Sequence, residues 1–310
     1  MIELKNVTKK YGEFKALDNI SFKIGKGEIV GFLGQNGAGK TTTMKIITGL
    51  IEPTEGQVFL NGEKLGKKNK IKIGFMPENA PLYDSLTVKE FLTFMAEIKK
   101  IKKSDKKKMV ENLTNELNLK SVENKIIKNL SKGYRQRVSL AGTLIGNPEI
   151  LILDEPNVGL DPKQIIEVRN LITSLKKDHT ILLSSHILTE VNEMCDRVII
   201  IDKGKIIATD TGENLKKKID KNIVDIIIED PENNINKIKH DIDGIIDIKF
   251  INENENKEKE YQIEAEERVD IRKELMNKLG KLNIVIIELK KTKSTLEDVF
   301  VKLIDEESEV

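Results

Sequence analysis

The sequence has 310 residues, of which 38% are hydrophobic and 33% are charged, enough apolar material for one large domain or two ordinary ones. The 52 Lys and Arg nearly balance the 51 Asp and Glu, and a net charge of +1 gives no electrostatic argument for nucleic acid as the main ligand. A single cysteine, Cys195, excludes an internal disulfide, and no apolar run approaches the roughly 20 residues of a membrane-spanning helix. We therefore expect a cytoplasmic protein that depends on a partner for any membrane role.

The first part of the chain alternates between predicted strands and helices. Short apolar runs predict strands over residues 28–33, 57–60 and 71–75, and the second of these enters a tight hairpin at Asn61-Gly62. Residues 41–49 have helical character and end at a glycine, a common helix stop. Residues 87–130 are also predicted to be helical, because apolar side chains recur there at helix spacing.

The following part continues the alternation. Short apolar runs predict strands over 150–153 and 181–184, and a proline opens a predicted helix over 162–177. Residues 198–201 and 205–209 flank a Lys-Gly pair and are predicted to form a hairpin. Apolar strands that alternate with helices indicate a mainly parallel sheet with both faces covered, and therefore an α/β fold.

Beyond a lysine-rich stretch at 215–221, the pattern changes to that of a small α+β domain, with an order of elements that suggests a ferredoxin-like sandwich. The predicted elements are a strand at 223–228, a helix at 231–239, strands at 245–251 and 260–263, a helix at 270–282 and a strand at 284–289. Residues 252–259 are polar enough for a flexible loop. Ser294 and Glu297 have the spacing of a capping box and predict a last helix.

A phosphate-binding loop is predicted where GQNGAGKT, residues 34–41, follows a predicted strand and precedes a predicted helix. Glycines let backbone N–H groups approach phosphates closely, and the helix N-terminus adds a favourable partial positive charge. Lys40 can reach the β- and γ-phosphates, and the Thr41 hydroxyl can bind Mg²⁺. The candidate nucleotide-binding residues here are Gly34, Gln35, Asn36, Gly37, Ala38, Gly39, Lys40, Thr41 and Thr42.

A second candidate segment is ILILDEP, residues 150–156. An apolar strand that ends in a carboxylate delivers it to the sheet edge where ligands bind, so Asp154 is a candidate Mg²⁺ ligand. Glu155 follows and can polarise a water molecule for attack on the γ-phosphate. By itself this pattern also fits an ordinary strand-to-turn junction, and the phosphate loop upstream is what makes it informative.

The segment LSKGYRQR, residues 130–137, resembles the LSGGQxQR signature of the ABC ATPases, with departures at Lys132 and Tyr134. Ser131 and Gly133 precede a predicted helix that begins near Tyr134, and such a helix N-terminus is a second anion site. In isolation an N-capped helix without a ligand explains the segment equally well. The resemblance implies that Ser131 and Gly133 meet the ATP held by another subunit, so that two head-to-tail subunits enclose two ATP molecules.

The same resemblance implies roles for further positions. Tyr11 lies where an aromatic side chain stacks on adenine, and Gly159-Leu160-Asp161 matches a loop that crosses the dimer interface. His186 matches the histidine that contacts the γ-phosphate. Glu78 stands where most members carry a glutamine that touches Mg²⁺ or the attacking water, and Pro81–Thr87 is a candidate contact with membrane subunits. The alternatives are that Tyr11 merely packs at a strand end and that His186 is structural, as a lone histidine more often is.

The resemblance covers residues 1–212 and implies a P-loop NTPase core. We predict an ABC ATPase domain over 1–214, with a helical subdomain over about 87–146, and an accessory α+β domain over 215–310. The LSKGYRQR form, Glu78 and the ending LEDVF, residues 296–300, resemble the ABC-2, exporter-type branch.

The expected function is that of a transporter motor. It would bind ATP and Mg²⁺, pair as a homodimer or pseudo-symmetric heterodimer, and attach to the inner face of the cell membrane through integral membrane permease subunits. An ABC ATPase of translation or DNA maintenance is the alternative, but translation types usually carry two cassettes and DNA types long coiled coils, which this sequence lacks. A non-catalytic regulator is disfavoured because both Lys40 and Glu155 are present.

Overall fold

The computed structural model describes residues 1–292 apart from 67, 220–221, 231–234, 236–237, 240, 256 and 267–268. The described chain forms two compact units, one over Met1–Gly212 and one that begins at Glu213. The predicted last helix at Ser294 and the LEDVF segment lie outside the described residues.

A six-stranded sheet forms the centre of the first unit. Its strands are β3 (Ile29–Leu33), β6 (Ile73–Met76), β7 (Ile150–Leu153), β8 (Thr180–Ser185), β9 (Arg197–Asp202) and β10 (Lys205–Asp210). They lie in the order β10-β9-β3-β8-β7-β6, with β10 antiparallel to β9 and all other neighbours parallel. Every residue of β3, β7 and β8 is buried, as expected for strands that are covered on both faces. The predicted parallel α/β sheet is confirmed.

A second, antiparallel sheet of the first unit has the order β2-β1-β4-β5. Its strands are β1 (Ile2–Tyr11), β2 (Phe14–Ile24), β4 (Glu55–Leu60) and β5 (Glu63–Lys64). Sequence analysis did not identify β1 and β2, because register shifts interrupt their alternation and Asn6 and Asn19 adopt positive φ within them. The hairpin at Asn61-Gly62 is confirmed, and both residues have the positive φ that a tight hairpin turn favours.

Helices cover the parallel sheet and form a separate helical region. They are α1 (Lys40–Ile47), α2 (Val88–Ile98), α3 (Lys103–Glu116), α4 (Lys132–Leu144), α5 (Pro162–Leu175) and α6 (Leu188–Met194), with 3₁₀ turns at Lys70–Lys72, Lys120–Val122 and Ile127–Asn129. The core of the unit lies between its two sheets and includes Leu4, Phe32 and Ile152, which are fully or almost fully buried.

The continuous helical reading of residues 87–130 was wrong. Helix α2 ends before Lys100 and α3 ends before Asn118, and both residues adopt positive φ, which ends a right-handed helix. Residues 103–108 of the basic run 99–108 belong to α3. Within them, Lys106 forms an ion pair with Glu97 of α2. No helix within the described ranges is long and apolar enough to cross a membrane.

The second unit contains one antiparallel sheet with the order β12-β13-β11-β14. Its elements are α7 (Gly212–Ile219), which begins at the boundary, β11 (Asn222–Glu229), β12 (Ile245–Glu253), β13 (Lys259–Ala265), α8 (Arg272–Lys281) and β14 (Val285–Thr292). This is the strand order of a ferredoxin-like sandwich. The predicted loop at 252–259 is shorter than expected because β12 and β13 extend into it, and most of the helix predicted at 231–239 lies outside the described residues.

Candidate nucleotide site

The phosphate loop joins the buried strand β3 to α1, which begins at Lys40. Gly37 and Gly39 adopt positive φ of 85° and 112°. A Cβ on Gly39 would lie 2.7 Å from Leu17 Cδ2 and 2.9 Å from the Ala16 carbonyl oxygen, so both conformation and space require glycine there. The loop can therefore turn tightly and leave the first N–H groups of α1 at its mouth.

The Lys40 side chain folds back over the loop. Its ammonium donates hydrogen bonds to the carbonyl oxygens of Gly34, at 2.7 Å, and Gln35, at 3.2 Å. It also lies 3.5 Å from Glu155 Oε1 in a pair whose two side chains are less than a tenth exposed. A buried cation at the mouth of a Gly-rich loop is the arrangement that binds a phosphate group.

Asp154, at the end of β7, lies in a hydrogen-bond network with neighbouring strands. Thr41 Oγ1 donates to Asp154 Oδ2 at 2.9 Å, and Ser184 Oγ donates to Asp154 Oδ1 at 2.6 Å. The same Ser184 oxygen accepts the Glu155 N–H at 2.8 Å. Because β3, β7 and β8 are parallel neighbours, their carboxyl ends bring these residues to one edge of the sheet.

Glu155 adopts a positive φ of 50°, an uncommon conformation for a glutamate, and this redirects the chain just after Asp154. Glu155 Oε2 lies 2.9 Å from His186 Nδ1. Glu155 Oε1 is buried and makes no hydrogen bond within the described part of the chain. This oxygen faces the Lys40 ammonium at 3.5 Å, and a buried carboxylate oxygen without a hydrogen bond can accept a proton or a hydrogen bond from a molecule that enters the site.

A cavity of about 390 Å³ lies among these groups, although Asp154 and Ser184 are not part of its lining. It is lined by Gln35, Asn36, Gly37, Gly39, Lys40, Thr41, Thr42, Glu78, Glu155, Val158 and His186. The structure therefore brings most of the predicted phosphate-loop residues together with Glu78, Glu155 and His186. Gly34 and Ala38 of the same loop are buried and do not line the cavity.

Four predicted site residues lie elsewhere in the single chain. Tyr11, at the end of β1, is 52% exposed, and the Lys9 ammonium lies 5.2 Å from its ring centroid. Ser131 and Gly133 line a different cavity, of about 810 Å³, and Ser131 precedes α4 without a side-chain capping bond. Asp161 caps α5 by accepting the Gln164 N–H at 2.9 Å.

Ser184 is a residue of this site that sequence reasoning did not select. Its signal was present, because it is a polar residue at the end of an apolar strand at the edge where Asp154 lies. A second polar cluster was also missed. Asn157 Nδ2 donates to Glu190 Oε2 at 3.0 Å, and both residues are buried. Nothing in the sequence pattern indicates that α6, which carries Glu190, packs beside the turn after Glu155.

Comparison with known proteins identifies the family. The model of the ABC transporter family matches residues 17–158. The bacitracin transport ATP-binding protein BcrA of Bacillus licheniformis is 36% identical over 316 residues, which cover 98% of this chain and 97% of BcrA. This chain belongs to the ABC transporter ATP-binding proteins.

Other members of the family agree with this assignment. The uncharacterized ABC transporter ATP-binding protein MJ1023 of Methanocaldococcus jannaschii is 41% identical over 70% of this chain and 80% of its own length. The ATP-binding cassette MJ0796, solved as a dimer in a post-hydrolysis state with ADP and Pi, superposes with a TM-score of 0.62 at 29% identity, over 68% of this chain and 98% of MJ0796. The present ABC protein is accordingly the ATP-binding, ATP-hydrolysing subunit of a transporter.

The residues of this ABC ATPase also fit a magnesium ion. No group of three His, Cys, Asp or Glu side chains clusters as a metal site in the described ranges. The hydroxyl of Thr41 and the carboxylate of Asp154 nevertheless meet at 2.9 Å, at the mouth of the phosphate loop. Mg²⁺ in nucleotide sites takes oxygen ligands of this kind from the protein and the rest from phosphates and water.

Proposed function

We propose that the cavity around Lys40 holds the phosphates of ATP. The Lys40 ammonium would exchange part of its bonding to the loop carbonyls for bonds to the phosphate oxygens. The loop N–H groups of residues 35–42 would donate to the same phosphates, and the N-terminus of α1 would favour their negative charge. The glycines of the loop support this proposal, because Gly37 and Gly39 adopt the positive φ that lets the backbone turn tightly and approach a phosphate closely.

Thr41 and Asp154 are the proposed Mg²⁺ ligands. The ion would supply charge neutralisation on the phosphate oxygens. Ser184 would keep Asp154 oriented through its hydrogen bond at 2.6 Å. Glu78 lines the same cavity, and we propose it as an additional group near the metal that acts through water, since a direct carboxylate would repel phosphate oxygens.

Glu155 is the proposed base that polarises the attacking water. Its buried Oε1, which lacks a hydrogen-bond partner among the described residues, supports this role. His186 contacts Glu155 Oε2, and we propose that it orients the carboxylate and contacts the γ-phosphate. Ser184, which accepts the Glu155 N–H, would hold the strained turn in place.

The functional form is proposed to be a head-to-tail dimer. Ser131 and Gly133 lie outside the Lys40 cavity of their own chain, which is what a contact with the nucleotide of a second copy, or of a related subunit, requires. Asp161 would lie on the loop that crosses the interface. Tyr11, which is half exposed, would stack on adenine. The dimeric MJ0796 structures support this arrangement.

The direction of transport is proposed to be export, through separate permease subunits that hold the ATPase at the inner face of the cell membrane. The relatives BcrA and SrtF are named for bacitracin and lantibiotic transport, which supports this choice. Pro81–Thr87 is the proposed contact with the permease. Its Tyr83 is 50% exposed and packs edge-on against Phe94 at 5.2 Å, an aromatic pair suited to a partner surface.

The observation that carries the proposal is the meeting of Lys40, Thr41, Asp154, Glu155 and His186 at the carboxyl edge of the parallel sheet. Its test is Glu155→Gln, which keeps the shape of the side chain but removes the base. We expect ATP binding to be retained, ATP turnover to fall by about 100-fold or more, and ATP to stabilise a dimer. Undiminished turnover would refute the role of Glu155, and absence of pairing with Mg²⁺ and ATP would refute the dimer.

A further inference from the structure

The C-terminal end of α4, the helix that begins just after Ser131, is capped by a lysine from another helix. The Lys99 ammonium donates hydrogen bonds to the carbonyl oxygens of Gly142, Thr143 and Ile145, at 3.5, 3.0 and 2.5 Å. The last carbonyls of a helix have no partner within the helix. Here one side chain reaches two of them and the carbonyl of the C-cap residue Ile145.

The remaining terminal carbonyls of α4 are bonded within the turn itself. The Ile145 N–H donates to Ala141 at 3.2 Å, and the Asn147 N–H donates to Leu144 at 2.9 Å. The three donors of Lys99 therefore complete the hydrogen bonding of this helix end. Because the turn leads directly into β7, which carries Asp154, Lys99 holds the junction between two segments of the proposed machinery.

Lys99 itself is the C-cap residue that follows α2, so its ammonium lies where the negative ends of α2 and α4 come together. Its hydrogen-bond partners within the described ranges are the three backbone carbonyls and not a carboxylate. Burial lowers the pKa of Lys99 to about 8, so it is still mainly protonated at pH 7 and keeps its three donors. Partial burial of a lysine without a carboxylate partner is costly, so an ordinary surface position does not explain it.

The other end of α4 is also tied to the segment around α2. Arg135, in the first turn of α4, donates to Asp84 Oδ1 at 2.7 Å and to the Ile127 carbonyl at 3.2 Å. Asp84 belongs to Pro81–Thr87, which leads into α2 through the capping box of Thr87 and Glu90. In the last turn of α4, the two helices approach closely enough that a Cβ on Gly142 would lie 3.1 Å from the Phe91 ring of α2.

We propose that Lys99 is a positioning residue that fixes α4 to α2, so that the two helices move as one body. This body would carry Ser131 and Gly133 to the nucleotide of the second subunit, and would do so in response to contacts at Pro81–Thr87. Lys99 lines neither the Lys40 cavity nor the cavity at Ser131, so it would act through the orientation of α4. The inference rests on the proposed dimer, and it assigns a role to a residue that lies at the far end of α4 from Ser131.

The test compares three variants in the Glu155→Gln background with full-length protein. Lys99→Met keeps the aliphatic stem and removes the donors, Lys99→Arg restores donors, and Lys107→Met is a matched control on the exposed face of α3. ATP affinity is measured on dilute, monomeric protein, and ATP-dependent pairing is measured by sedimentation over a range of protein concentrations.

We expect Lys99→Met to keep its monomer ATP affinity and to need at least about 10-fold more protein for pairing, because charge-assisted hydrogen bonds are lost. Lys99→Arg should recover part of the pairing, and Lys107→Met should behave like its parent. General damage to the fold would instead lower the monomer ATP affinity as well. If Lys99→Met is too unstable to purify, Lys99→Gln, with two remaining N–H donors, should give a smaller shift in the same direction.

Two results would overturn the inference, and they are distinguishable. If the Glu155→Gln parent pairs with ATP and Lys99→Met pairs equally well, Lys99 does not position α4, while the proposed dimer stands. If the parent itself never pairs, the proposed dimer fails and the inference falls with it.

Discussion

The two units of the chain bury their strands in different ways. In the first unit, β7 reads Ile-Leu-Ile-Leu and all four residues are buried. In the second, β11 and β13 alternate, with every other residue buried. A strand that is covered on both faces has little freedom to present polar groups except at its ends, and those ends carry Asp154 and Ser184. The polar groups of the proposed ATP site are therefore concentrated where buried parallel strands end.

The relatives also differ in how much of the two units they cover. The lantibiotic transport ATP-binding protein SrtF of Streptococcus pyogenes aligns over 98% of its own length but only 72% of this chain, whereas BcrA aligns over 98% of this chain. A transport ATPase can therefore be about as long as the first unit. The residues proposed to bind and hydrolyse ATP all lie in the first unit, and four predictions test this contrast between the units.

The largest effect is expected from truncating core side chains of either unit. Ile152 and Ile226 are both fully buried, one in each unit, and Ile→Ala at either should lower the free energy of unfolding by about 2–5 kcal/mol. Ile226→Ala should leave ATP turnover at 25 °C near its original value, while Ile152→Ala should lower it. Calorimetry measures the change in unfolding free energy, and steady-state ATPase assays measure turnover. Equal losses of turnover from the two variants would break the contrast.

The next effect concerns the phosphate loop. Lys40→Met removes a buried ammonium, and loss of its charge-assisted bonds should weaken ATP binding by roughly 1.5–3 kcal/mol, measured by titration calorimetry. Lys107→Met, which removes an exposed charge, is the control. An unchanged affinity in Lys40→Met would mean that the cavity around this lysine is not the nucleotide site.

Ser184→Ala tests the residue that sequence analysis missed. It leaves Asp154 Oδ1 and the Glu155 N–H without the hydroxyl that joins them, and this should lower the free energy of unfolding by about 1–3 kcal/mol. We expect ATP turnover to fall more than ATP affinity, because the turn at Glu155 loosens while Lys40 stays in place. Ser174→Ala, whose exposed hydroxyl bonds within α5, should leave both quantities unchanged. If Ser184→Ala and Ser174→Ala changed ATP turnover equally, Ser184 would not be a functional part of the site.

The smallest effect is expected at the start of α2. Thr87→Ala breaks the capping box and should cost about 1 kcal/mol of unfolding free energy. The backbone N–H and hydroxyl of Thr87 lower the pKa of Glu90. The stability that follows from this lowered pKa is present above the unfolded-state pKa and is lost as the pH falls through the folded value. NMR titration should show the Glu90 pKa rising towards its usual value in Thr87→Ala, and an unmoved pKa would contradict the capping role.

The local sequence was sufficient to predict much of the first unit, because its signals depend on neighbouring residues. GQNGAGKT between a strand and a helix needs only glycines and an ammonium in order, and the apolar run before Asp154 needs only a strand that is buried on both faces. The hairpin at Asn61-Gly62 and the confirmed strands follow for the same reason. The roles of Tyr11, Ser131, Gly133, Asp161, His186 and Glu78 stay predictions, since they came from the family resemblance and none has been tested.

Tertiary structure alone decided which distant groups meet. Ser184 joins Asp154 to the Glu155 N–H because β8 happens to lie beside β7, and Lys99 reaches α4 because the chain breaks out of its helix at Lys100. Strand order and side-chain reach depend on packing between segments far apart in the chain, and periodicity carries no information about that packing. Local motifs are therefore enough to predict the phosphate loop and the acidic strand end of this ABC ATPase, whereas packing between distant segments places the groups that orient them.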